Sequence, residues 1–76
     1  MNPHIELVKK FLADNDSVTE EELRVNEAAA YAVWDSEAAE AARAYWAAAE
    51  SDNLEDAEYY KKLAIEAVAE YEELTK

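Results

Sequence analysis

Residues 19–50 read TEEELRVNEAAAYAVWDSEAAEAARAYWAAAE, and how far one helix runs through them decides the fold. Its start is marked by local chemistry. Thr19 and Glu22 have capping-box spacing, in which each side chain accepts a hydrogen bond from the other residue's backbone N–H, and Val18 with Leu23 stands at the staple positions. Glu20, Glu21 and Glu22 suit the positive end of the helix dipole. Beyond the start, Leu23, Trp34 and Tyr45 recur every 11 residues, close to three whole turns, with Ala30, Ala38 and Ala41 between them on the same face. This register predicts one helix over about 19–50. A kink near Asp35-Ser36, where a fresh N-cap could form, is the alternative.

The flanks supply two more helices. Asn2 before Pro3 is a start signal, and Ile5, Val8, Phe11 and Leu12 recur at helical spacing to about Ala13, so a short helix is expected over 3–13. Asp14 to Ser17 ends it. Ser51-Asp52-Asn53 interrupts the later pattern, and Asp52 with Glu55 repeats the capping-box logic, which starts the last helix at about 54 and carries it to 75. Its apolar face is Ala57, Tyr60, Ala64, Ala67, Val68, Tyr71 and Leu74, with Glu58, Lys62 and Glu66 forming i,i+4 pairs outside.

The expected fold is therefore all-α. One domain over 1–76 is built as a small helical bundle, in which the long and C-terminal helices form an antiparallel hairpin and the short helix crosses one end. Alanine lets helices approach closely but buries little area, so Leu23, Trp34, Tyr45, Trp46 and Tyr71 are expected to anchor the core or a dimer. Trp46 is turned about 100° from Tyr45 and is the better placed for an edge or dimer contact. Pairing of two copies would bury apolar surface that one copy leaves exposed.

Length and charge bound the function. A chain of 76 residues is near the size at which one core only just outweighs chain entropy. There is no cysteine, so neither disulfides nor cysteine metal sites can help, and a reducing compartment fits. No stretch resembles a secretory signal or approaches the roughly 18 apolar residues of a membrane span. The chain starts with Met and carries no tag, as a whole short cytoplasmic gene product would. The formal net charge of −12 repels nucleic acid and anionic membrane and steers in a basic partner. Disorder is argued against by the 51% hydrophobic content.

Catalytic chemistry is not expected. His4 is the only histidine and is read as solvated, without a nucleophile around it. Glu37 with Glu40, and Glu66 with Glu70 and Glu73, share helix faces, but the Glu-x-x-His pairs of bundle di-metal sites are missing. The acid-rich DNDSVTEEE has Thr19 where a calcium loop needs Gly and Val25 where it needs Glu. No metal, cofactor or enzymatic activity follows from these residues.

Acidity, the N-terminal IELVKKFL and the central Asp35-Ser36 together resemble an acyl carrier protein. In that family the serine of Asp-Ser-Leu carries phosphopantetheine, which the resemblance would put on Ser36. Glu37 stands where the Leu would be, and no glycine precedes the motif.

The acids of the last helix are more telling. Glu66, Glu70, Glu72 and Glu73 crowd its final turns, where negative charge opposes the dipole at about 0.3–1 kcal/mol each, with only Lys76 following. A helix of about 48 Å carrying the whole net charge would average one charge per 4 Å or so, near the 3.4 Å of a nucleic-acid strand. Small acidic cysteine-free proteins of phages and mobile elements, some anti-CRISPR and anti-restriction proteins among them, resemble this chain in size and charge. The resemblance implies a non-enzymatic inhibitor that mimics phosphates toward a basic nucleic-acid-binding protein. Its expected contacts are Glu37, Glu40, Glu50, Asp52, Glu66, Glu70, Glu72 and Glu73. The competing reading is an immunity-type interaction module that binds through its alanine-aromatic face and uses its acids for solubility alone.

Overall fold

The computed structural model describes residues 2–30 and 33–75, without the side chain of Trp34. Within them the chain forms α1 (Pro3–Ala13), α2 (Glu20–Ala29), α3 (Val33–Glu50) and α4 (Leu54–Leu74), with a 3-10 turn at Asn15–Ser17. This is the all-α bundle the periodicity implies. α3 and α4 make the largest contact, and α1 packs against both.

Local chemistry sets most boundaries. Asn2 Oδ1 accepts from the backbone N–H groups of His4 (3.0 Å) and Ile5 (3.3 Å), and Pro3 opens α1, where its missing N–H costs nothing. Asp14 leaves the helix in an extended conformation. Ahead of α2 the capping box forms as expected: Glu22 N–H donates to Thr19 Oγ1 at 3.2 Å and Thr19 N–H to Glu22 Oε1 at 3.0 Å. The Thr19 backbone N–H, and then its hydroxyl, hold the Glu22 carboxyl below its ordinary range. Val18 and Leu23 are both buried, so the staple is closed.

The single helix over 19–50 is not what the chain adopts. α2 stops at Ala29, and Ala30 is extended (φ −77°, ψ 122°), upstream of the kink considered at Asp35. Nothing local demands this, since the segment has neither Gly nor Pro. The cause is tertiary. Asn26 Oδ1 lies 2.7 Å from His4 Nδ1, Asn26 Nδ2 donates to the His4 carbonyl at 3.3 Å, and Asn2 Nδ2 donates to Asp35 Oδ1 at 2.7 Å. In a straight helix Asn26 and Asp35 would stand about 13 Å apart along the axis, yet they bond residues two apart at the start of α1. The bend lets both reach, and Asn26 and Asp35 are buried there. His4 is thus half-buried and tied to Asn26, not free in solvent as expected. Arg43 Nη1 closes the bend with Glu27 Oε1 at 3.0 Å.

The α3–α4 turn is a Schellman motif built without glycine. Asn53 N–H donates to the Ala48 carbonyl and Asp52 N–H to that of Ala49, with Asp52 left-handed at φ 58°. Asp tolerates that region better than most residues. The cap of α4 falls one residue later than Asp52 and Glu55 suggest: Asn53 Oδ1 accepts from Asp56 N–H at 3.2 Å, and Asn53 Nδ2 donates to Asp56 Oδ2 at 2.8 Å.

Core volume comes chiefly from α1. Ile5, Val8 and Phe11 are essentially fully buried and cluster with Val18 and Leu23, with Ala38, Ala41 and Ala42 of α3, and with Ala64, Ala67 and Val68 of α4. Tyr45, Trp46 and Tyr71 are half-buried against this cluster, and the Tyr45 ring meets Phe11 at 5.5 Å. Leu74, assigned to the apolar face, is 63% exposed because α4 outruns the core. With the bend, the long axis of the molecule is 35 Å, and the 48 Å rod is not present. No helix of the described residues is long and apolar enough to cross a membrane.

Candidate binding groove between α3 and α4

A groove of about 500 Å³ runs between α3 and α4, with no residue of α1 or α2 in its walls. Its floor is Ala41, Ala44, Leu63 and Ala67, and Tyr60 also lines it. Glu37 and Glu40 line it from α3, Glu66 and Glu70 from α4. The register explains the meeting. Glu37, Glu40, Ala41 and Ala44 lie on one face of α3 at helical spacing, and Leu63, Glu66, Ala67 and Glu70 do so on α4. Alanine on both faces lets the axes come close enough for two acid rows to border one trough.

All four carboxylates are exposed, and among the described residues none has an ion pair or a side-chain hydrogen bond. Nor do any three His, Asp or Glu of the described residues gather closely enough to hold a metal ion. The carboxylates are spread along the walls, an arrangement suited to several separate positive charges.

The other expected contact residues lie elsewhere. Glu50 ends α3 and Asp52 sits in the turn beyond it, both exposed and outside the groove. Glu72 belongs to another face of α4: Lys9 Nζ donates to its Oε2 at 2.8 Å and ties α1 to α4. That bond and the Glu72 charge hold the Lys9 ammonium above its ordinary range. Lys76 is therefore not the only base offsetting the C-terminal acids. Glu73 follows Glu72 on exposed helix and does not line the groove.

Leu23 is a core residue, whereas Tyr45, Trp46 and Tyr71 flank the core cluster. The Tyr45 hydroxyl reaches Asn15 Oδ1 at 3.1 Å. Trp34 stands in the first turn of α3, and its side chain is outside the described residues. Ser36 is half-buried in that same turn. Of the groove floor, Ala44 and Leu63 went unread in the sequence; they carry no chemical signal, and only their register beside the acids could have pointed to them.

No family model matches this chain, and neither the curated proteins nor the solved structures compared with it contain a significant match.

Proposed function

We propose that this chain is a non-enzymatic acidic protein that binds a basic nucleic-acid-binding protein and blocks it by offering carboxylates in place of phosphates. The observation that carries this reading is the pair of unpaired acid rows, Glu37 with Glu40 and Glu66 with Glu70, facing each other across one groove. Two other carboxylates tie helices together through bases, Glu72 through Lys9 and Glu27 through Arg43. Among the described residues these four have no such base, and like charges gathered along a trough raise the local potential for a cationic ligand. The overall charge density supports the same reading: twelve net negative charges over a 35 Å axis average one per about 3 Å, against 3.4 Å for a nucleic-acid strand. A phage or mobile-element inhibitor of a cytoplasmic CRISPR or restriction effector is the setting that suits such a surface.

The test is binding to basic nucleic-acid-binding proteins as salt is raised, with nucleic acid as competitor. Affinity is expected to fall steeply with salt, to be competed by nucleic acid, and to fall again when Glu37, Glu40, Glu66 and Glu70 are changed together to Gln. Affinity that holds from low to high salt would overturn the proposal.

A further inference from the structure

The groove has a floor as well as walls, and the floor narrows what it can hold. Resting on the reading of this groove as the contact surface, we infer that its occupant is a basic amphipathic α-helix of the partner, with a short apolar stripe flanked on both sides by Lys or Arg. Between its charges the groove leaves Ala44 and Leu63 half-exposed above the buried Ala41 and Ala67 of the core, and a purely electrostatic surface has no use for that apolar strip. An apolar side chain seated there gains burial, and the acids on either side fix bases on both its flanks.

Three observations select a helix. First, the described residues contain no strand, so an extended peptide finds no sheet edge for its backbone, and the alanine floor offers its N–H and C=O groups no partner. A helix bonds its own backbone. Second, from Tyr60 to Glu70 the α4 wall rises about 15 Å, room for some three turns of helix. Third, the molecule already contains a helix docked in this manner. α1 sets Ile5, Val8 and Phe11 into the alanine-rich core cluster shared with α3 and α4, while its Lys9 reaches Glu72 at the rim. The open groove repeats that chemistry, alanine beneath and carboxylates beside, with the bases to come from outside. A second copy of this chain is a poor occupant, because two such grooves face to face would set eight carboxylates against one another.

The experiment uses the whole chain and two synthetic peptides of about 15 residues made of Leu, Ala and Lys. One carries Leu at helical spacing with Lys on both flanks; the other has the same composition scrambled. The amphipathic peptide is expected to bind about tenfold or more tightly than its scrambled isomer. Ala44→Trp, which fills the floor from a half-buried position outside the core cluster, is expected to erase that preference while circular dichroism and the thermal midpoint stay as in the parent. Ala44→Leu serves the same purpose should the indole disturb folding. Equal binding of the two isomers, no binding of either, or an unchanged preference in both Ala44 variants would overturn the inference. Equal but strongly salt-dependent binding would do so while leaving the electrostatic reading of the groove standing; salt-independent binding would remove both.

Discussion

The two sides of the α3–α4 hairpin are built from the same material and put to different use. On one side α1 lies across the alanines, its Ile5, Val8 and Phe11 buried and its Lys9 paired to Glu72. On the other, Ala44 and Leu63 are only half-buried and the bordering carboxylates face solvent without bases. Alanine-faced helices bring their axes close and leave shallow troughs, and a trough acquires stability only when something large is laid in it. The first trough is filled by the chain itself. The second is where the chain has apolar floor and charge to spare, and so it is the surface on which binding can be built without weakening the fold.

The comparison is easiest to break at its largest element. Phe11→Ala empties the filled side and is expected to cost about 3–5 kcal/mol, enough to leave a domain of this size largely unfolded. Ala44→Leu on the open side is expected to change stability by no more than about 0.5 kcal/mol. Urea denaturation of the two variants checks this, and comparable losses would mean that the open side is core in disguise.

A smaller effect belongs to the bend that seats α1. Asn26→Ala removes both of its bonds to His4 and is expected to cost about 1–2 kcal/mol. Helicity in circular dichroism should fall little, because α2 and α3 keep their own turns. A variant as stable as the parent would show that the break at Ala30 does not depend on α1.

The smallest effect is a dependence on pH outside both troughs. The lowered Glu22 carboxyl adds stability above the ordinary value of 4.5, and that contribution is lost as pH falls through its lowered folded value. Glu22→Gln keeps an acceptor for the Thr19 N–H but not the charge. The gap between parent and variant in the urea midpoint should therefore be open at about pH 7 and narrow as acidification carries the solution through the lowered folded value. A gap that persists in acid would assign the effect to shape instead of charge.

How much of this was legible in the sequence depended on how local the cause was. The bounds of α1, the Thr19–Glu22 box and the start of α4 follow from residues within four positions of one another, and the chain alone announces them. The break at Ala30 goes with bonds that Asn26 makes to His4 of α1 and Asp35 to its cap Asn2, and no pattern inside residues 19–50 could signal it. Lys9 and Glu72 are likewise separated by 63 positions. The candidate groove was legible in part for the same reason. Helical spacing on each helix pointed to Glu37 with Glu40 and to Glu66 with Glu70 and Glu73, but that the first four border one groove and Glu73 does not follows only from the pairing of α3 with α4. Glu50, Asp52 and Glu72 share the same acidity and point elsewhere, because composition does not distinguish a rim from a turn or from a clasp.

The alanine bed also bears on when the protein can fold. α3 and α4 meet largely through alanine, and much of the bulk that completes the core is carried by α1. During synthesis α1 leaves the ribosome before the α4 residues it packs against. α1 must wait for α4, so the core closes only once α4 has emerged.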